Sequence, residues 1–289
     1  MNLSTYVVPI IIGLATGMVT YLSAAGMNLL ISGMGIMNFA QGSFYVLGMM
    51  ICYQIGSVYG LWIGLLGAVI FSLICGAALE FILRPVSSKG MMPVLLSTMG
   101  IGYVIDAIFQ VTLGNGNRTY SLAVPEFLRG PLKVGTLVIP KYYLFMMGIA
   151  LVIALLFWIM FKKTKLGMLF RAIISDRNMV ESLGVNVQLL YTVMFMIGIA
   201  LTGFAGALNL PSSGFSTTGS SSAFASIMPV LIIGGLGNMQ GVLPAAILVG
   251  GVQAIAALFL PTYYNLVPTF LMILTILFKP EGLFTRRVK

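Results

Sequence analysis

Long apolar runs separated by short polar interruptions fill nearly the whole chain. A helix needs roughly 20 apolar residues to cross the hydrocarbon core of a bilayer. Runs of about that length lie near residues 7–30, 36–55, 61–83, 92–113, 142–161, 189–210 and 241–260, with a last one near 264–278. A further run, 223–237, is marginal for a crossing. It contains Pro229 and ends in Gly234-Gly235-Leu236-Gly237, which predicts a broken or re-entrant helix. Such interruptions occur at membrane depth where they line a cavity instead of facing lipid. The pattern predicts an all-α polytopic membrane helix bundle of about eight or nine crossings, with residues 1–289 forming one transmembrane domain.

The interruptions carry the detail. Ser32-Gly33-Met34-Gly35 breaks the first run, and the second opens on Asn38-Phe39-Ala40-Gln41-Gly42-Ser43. Gly13 and Gly17 are spaced either for close helix approach or as ordinary membrane glycines on a lipid-facing helix. Glu80 and Arg84 stand four apart with the acid first, the favourable order for a helical ion pair, and Pro85 is expected to end that helix. Residues 114–141 form a long polar connection holding Pro125, Pro131 and Pro140, in which 133–139 has the composition of a short strand or hairpin. A Gly/Ser/Thr-rich stretch, 211–222, precedes the marginal run.

Composition sharpens this picture. Charged residues make up 7% of the chain and hydrophobic ones 59%, with a mean hydropathy of +1.06, whereas soluble domains are about a quarter charged. Most of the surface must therefore face lipid. The net charge of +9 comes from basic residues flanking apolar segments, which is how topology is signalled, so nucleic acid is not implied as a partner. Cys52 and Cys75 lie inside apolar runs as inert thiols. With no His in the chain, the commonest metal ligand and general base are missing, and no catalytic or metal site is expected. The start of the chain has no positive region of the signal-peptide kind, so the first apolar run is expected to remain as a helix. Lys162, Lys163, Lys165, Arg171 and Arg177, together with Arg286, Arg287 and Lys289, mark the cytoplasmic side. Arg84 and Lys89 fit the same side. The 114–141 loop is then external, and counting back places the start of the chain outside, unless an early segment is re-entrant.

The cytoplasmic segment 162–188 has its own pattern. Leu166, Leu169, Phe170 and Ile173 repeat at helical spacing. Asp176 can cap a second short helix, 177–183, which Gly184 can terminate. A short charged helix on the membrane surface can dock into a partner's groove; an interfacial loop held down by lysines has the same composition.

These residues resemble a family. Lys165-Leu166-Gly167, Arg171-Ala172, Asp176-Arg177 and Leu183-Gly184-Val185-Asn186-Val187 look like the coupling segment of bacterial branched-chain amino acid ABC transporter permeases. Gly35-Ile36-Met37-Asn38-Phe39-Ala40-Gln41-Gly42 is similar to that family's early signature, Glu80, Arg84 and Pro85 to its E-x-x-x-R-P element, and Ser97-Thr98-Met99-Gly100 to its T-x-G. The stretch from Gly234 to Gly241 is similar to its late glycine motif, and Phe278-Lys279-Pro280-Glu281-Gly282-Leu283-Phe284 to its closing motif. The order fits the shorter of the two paired permeases. One departure falls on 179–182, where Met179, Val180, Glu181 and Ser182 replace the family's paired alanines.

The resemblance implies a transport subunit without an ATPase site, in the bacterial cytoplasmic (inner) membrane. Cytoplasmic ABC ATPases would dock at Arg171, Asp176, Arg177, Glu181 and Gly184, beside a second homologous permease and an extracytoplasmic substrate-binding protein. No G-x-x-x-x-G-K-[ST] occurs, so the chain binds no nucleotide by the P-loop route; it is expected to hold no cofactor, with ATP hydrolysed by partner subunits. The cargo implied is a branched-chain amino acid, with urea or short amides as alternatives. A stand-alone secondary transporter or channel would need coupling-ion sites at mid-membrane. Candidates for the translocation path are Asn38, Gln41, Ser43, Ser97, Thr98 and Asn209, although polar groups in bundles also satisfy backbone where helices pack. Asp106 is either a proton relay or a residue near the outer end of its helix. Thr98-Met99-Gly100-Ile101-Gly102-Tyr103 lies inside a continuous apolar run and is no ion filter, and the sequon at Asn117 matches by chance.

Overall fold

The computed structural model describes residues 3–87, 89–114, 119–134 and 137–285. The basic residues 286–289, the sequon's Asn117 and Arg118, and the tip of the 131–140 hairpin at 135–136 lie outside the described residues. Eleven α-helices are described: α1 (Leu3–Met34), α2 (Gln41–Tyr59), α3 (Leu61–Ser87), α4 (Met91–Leu113), α5 (Lys141–Lys163), α6 (Lys165–Ser175), α7 (Arg177–Ser182), α8 (Val187–Ser213), α9 (Ser220–Gly234), α10 (Val242–Phe259) and α11 (Val267–Phe278). The strands β1 (Pro131–Val134) and β2 (Leu137–Pro140) pair antiparallel, Pro131 opposite Pro140, so the 114–141 connection contains the anticipated hairpin.

Six helices are long and apolar enough to cross a membrane: α1, α3, α4, α5, α8 and α10; α9 and the segment ending in α11 are shorter. In an apolar medium every backbone polar group needs an internal partner, and a helix supplies nearly all of them. Several boundaries differ from the sequence reading. The second segment does not begin at Ile36: residues 35–40 are non-helical and α2 starts at Gln41. Pro85 does not end α3, which runs on to Ser87, because a proline in the last turn disturbs only the turn before it. Pro211 is likewise carried inside α8.

Two helix–break–helix units dominate the core. The α1 helix ends at Gly35 with φ +66°, and α8 at Gly214 with φ +65°, a backbone region in which a Cβ is strained. In each unit the next helix begins six residues after that glycine, at Gln41 and Ser220. The α1 and α8 helices run antiparallel, Gly26 meeting Gly198 and Gly33 meeting Met194. The units thus point in opposite directions, the inverted arrangement of many transporter folds. The next helices follow suit: α3 packs on α8, and α10 packs on α1. Gly13 and Gly17 do serve close approach. A Cβ on Gly13 would stand 2.4 Å from Ala254 Cβ and 2.5 Å from the Gly250 carbonyl.

This geometry sorts the two faces. The first turn of α8 follows α6 and α7 directly. Glu80 near the end of α3 meets Thr192 near the start of α8, so Arg84 and Lys89 lie on the face that carries Lys162–Arg177. The start of α1 lies on the opposite face, with the hairpin. There Tyr120 and Phe215 exchange backbone hydrogen bonds of 2.9 and 2.8 Å, and their rings stack at 5.4 Å.

Candidate functional site

A cavity of about 890 Å³ opens between α1, α2, α8, α9 and α10 on the face away from α6 and α7. Its wall includes both sides of the second break, Ser213–Ser216 and then Gly219, Ser222 and Ala223. Neutral polar groups face it from several helices, among them Thr16 and Thr20, Tyr45, Asn209, Ser226 and Gln253. No charged side chain among the described residues lines it. Asn209 hydrogen-bonds the Tyr45 side chain and accepts from Ser212 Oγ at 2.7 Å. The size is ordinary for a small-molecule pocket.

The candidate path residues divide. Asn209 lines the cavity. Asn38, Gln41, Ser43 and Thr98 are buried and serve the first break. Asn38 Oδ1 accepts the Ala40 amide at 3.1 Å, and Thr98 Oγ1 accepts the Phe39 amide at 3.3 Å. Asn38 Nδ2 donates to Gln41 Oε1 at 3.2 Å. Gln41 Nε2 donates to the Ser23 carbonyl at 3.3 Å and to Thr202 Oγ1, joining α2 to α1 and α8. Ser43 Oγ donates to the Gly102 carbonyl at 3.3 Å. Ser97 Oγ is bonded to Pro93 within its own helix. A broken helix leaves amides unpaired, and these side chains pair them. Gln41 also sits one turn from the cavity-lining Tyr45, toward the basic face. Replacing Gln41 with leucine would strip donors from at least two buried acceptors, at about 1–3 kcal/mol each. The expected outcome is a clearly lower midpoint in thermal unfolding of the purified protein. An unchanged midpoint with lost transport would instead make Gln41 a path residue.

Asp106 lies in the half of α4 away from the basic face. Its Oδ2 accepts from Ser220 Oγ at 2.6 Å, tying α4 to the first residue of α9, while its Oδ1 is buried without a partner among the described residues.

On the opposite face α6 and α7 are locally well determined. Thr164 Oγ1 accepts the Gly167 amide at 3.1 Å, and Asp176 Oδ1 accepts the Met179 amide at 3.1 Å. Asn186 Oδ1 accepts the Leu189 amide, also at 3.1 Å. Each is the side-chain cap that starts a helix. Phe170, Ile173 and Val180 bury into the bundle while Met179 and Leu183 stay exposed. Asp176, Arg177, Glu181 and Gly184 are exposed, and Gly184 turns the chain at φ +76°. Arg171 behaves differently. Its Nη1 donates to the Phe161 carbonyl at the end of α5, so the guanidinium is turned back toward the bundle.

Beside them, residues 235–241 interlock with 281–285. Leu283 N donates to the Ile233 carbonyl at 2.9 Å, and Asn238 Nδ2 donates to the Phe284 carbonyl at 3.1 Å. Gly237 N donates to Asn28 Oδ1 at 2.7 Å, and the Gly237 carbonyl accepts from Ser32 at 2.9 Å. Gly235 and Gly282, at φ +93° and +94°, approach so closely that a Cβ on Gly282 would stand 2.5 Å from Gly235 Cα. The roles of Tyr45, Asn28 and Ser32 were not legible in the sequence, because lone polar residues in apolar helices carry no spacing signal.

The family model for the branched-chain amino acid transport system permease component matches residues 10–276. The chain belongs to that family. Among branched-chain permease relatives, it is 25% identical to the high-affinity branched-chain amino acid transport system permease protein LivH of Salmonella typhimurium, covering 95% of this chain and 94% of the relative. It is 23% identical to BraD of Pseudomonas aeruginosa over 97% and 96% of the two chains. It is also 26% identical to LivM of Salmonella typhimurium over 92% of this chain and 68% of the relative. No solved structure matches. As a member of that family with six described helices long and apolar enough to cross a membrane, the chain is a multi-pass membrane protein. The early, coupling, late-glycine and closing motifs fall at the first break, at α6–α7 and at the 235/282 seam.

Proposed function

We propose that this chain is the path-forming subunit of an ATP-driven ABC importer in the bacterial cytoplasmic (inner) membrane. It binds no cofactor itself. Cytoplasmic ABC ATPases hydrolyse ATP and push on α6–α7, a second homologous permease completes the path, and an extracytoplasmic binding protein delivers cargo to the cavity mouth. The cargo class is small and amphoteric, with branched-chain amino acids first. Counting α2, α9 and α11 as broken or short crossings gives the bundle nine passes, with the start of α1 outside and the 114–141 loop external.

The observation that carries this reading is the placement of an uncharged cavity and an exposed, capped helix pair on opposite faces. A path without charges fits a subunit that passes a zwitterion along instead of holding it, and leaves affinity to a delivery protein. The same neutrality suits urea or short amides. A secondary transporter is less suited, since its coupling ions need mid-membrane ligands and no acid among the described residues lines the cavity.

The test reverses charge on the exposed face. Asp176→Arg combined with Glu181→Arg should abolish co-purification of the ATPases and ATP-dependent uptake while leaving membrane insertion intact. Retained co-purification and uptake, or uptake by the chain alone driven by a proton or sodium gradient, would sink the proposal. Uptake assays with leucine, isoleucine, valine, urea and acetamide separate the cargo readings.

A further inference from the structure

A second cavity, about 350 Å³, lies on the basic face between α1, α5, α6 and the 239–240 turn. One side is aromatic: Phe157, Trp158 and Phe161, from the last two turns of α5. That is where α5 gives way to Lys162-Lys163 and leaves the apolar zone, the depth at which aromatic and basic anchors meet headgroups. The other side is cationic, formed by Lys162 and Arg171. Lys162 Nζ lies 4.8 Å from the Trp158 ring centroid, and Arg171 Cζ lies 5.9 Å from that of Phe161. Among the described residues neither cation has an acidic partner: the ion pair found there is Glu80–Arg84, and none of the acids described lines the cavity. Tyr21 also lines it. Tyr21 is 5% exposed, and its hydroxyl has no hydrogen-bond partner among the described residues.

We infer that this cavity binds an anionic phospholipid of the cytoplasmic leaflet. The headgroup phosphate sits between Lys162 and Arg171, the Tyr21 hydroxyl supplies a neutral donor, and an acyl chain runs along Phe157 and Trp158. Charge complementarity selects the occupant: two unpaired cations beside an apolar slot match a phosphate attached to a hydrocarbon chain, and basic pockets between helices on this side are suited to such headgroups. Arg171 is thereby assigned to the lipid and to the end of α5, and the exposed charges of α7 remain for a protein partner. The inference rests on the membrane orientation of α5, and not on the cargo or the motor.

The experiment titrates the purified full chain with phosphatidylglycerol or phosphatidylcholine and counts bound lipids by native mass spectrometry. Each basic contact near an anionic surface is worth roughly fivefold in affinity. Phosphatidylglycerol should therefore bind in preference to phosphatidylcholine, and Lys162→Gln with Arg171→Gln should weaken it by roughly thirtyfold. The charge-matched pair Lys163→Gln with Lys165→Gln, outside the cavity, should leave it unchanged. If the first double variant fails to insert, Lys162→Gln alone should still cost roughly fivefold. Equal losses in both pairs would mean diffuse surface charge and overturn the site. Equal binding of both lipids, or full displacement of phosphatidylglycerol by millimolar inorganic phosphate, would overturn it as well.

Discussion

Arg84→Leu should destabilise the bundle by about 3 kcal/mol or more, the range for breaking a buried ion pair by removing one partner. Arg84 Nη2 lies 3.0 Å from Glu80 Oε2, and Arg84 Nε donates to Oε1 at 3.3 Å. Thr192 adds a third donor at 3.0 Å from α8. The two partners are unequal: the Glu80 side chain is 3% exposed and that of Arg84 41%. Removing the exposed cation therefore strands the buried anion with a single hydroxyl. Water partly screens the pair from the Arg84 side, which places the loss at the lower end of the range. Adding Glu80→Leu to Arg84→Leu should recover most of it, because an apolar pair of similar volume needs no solvation. Thermal unfolding of the single and double variants in detergent reads both results. A double variant no better than the single one would show that the carboxylate has a task beyond pairing.

Ser226→Trp should cut transport by more than tenfold, to background, without changing folding or partner binding. Ser226 is an exposed residue on the cavity side of α9, and its hydroxyl bonds only the Ser222 carbonyl one turn back, at 2.9 Å. The bundle loses no tertiary contact when it is replaced. An indole there enters the cavity that Gln253 and Asn209 also line, the space proposed for the passing solute. Co-purification with partner subunits separates a plugged path from a collapsed bundle. Uptake at the native rate in a correctly assembled Ser226→Trp complex would remove the cavity from the path.

Much of this organisation was readable along the chain, for a physical reason. Helix length is set by bilayer thickness, so the spans α3, α5, α8 and α10 fell within a few residues of the runs that predict them. The α6–α7 pair was readable because caps and periodicity act locally: Asp176 caps the helix it precedes, and Gly184 ends it. The first break was harder. Ile36 and Phe39 are as apolar as any helical residue, and nothing in their hydropathy says that the helix is broken across residues 35–40. The function of Asn38, Gln41 and Thr98 depends on which amides that break leaves open, which is a property of the folded bundle. The cavity was hardest of all, because its polar lining is assembled from one or two residues on each of several apolar helices, from Thr16 and Thr20 on α1 to Gln253 on α10.

The seam between Gly235 and Gly282 sets an order for biogenesis. Asn238 cannot reach its acceptor on Phe284 until 46 further residues have been synthesised, while the first break finds its partners at Thr98 and Thr202 well before that. The first break can thus set early, and the rim on the basic face stays unfastened until residues 281–285 arrive. Truncation ahead of Gly282 would leave the 235–241 turn without its clasp, next to the surface proposed for the ATPases.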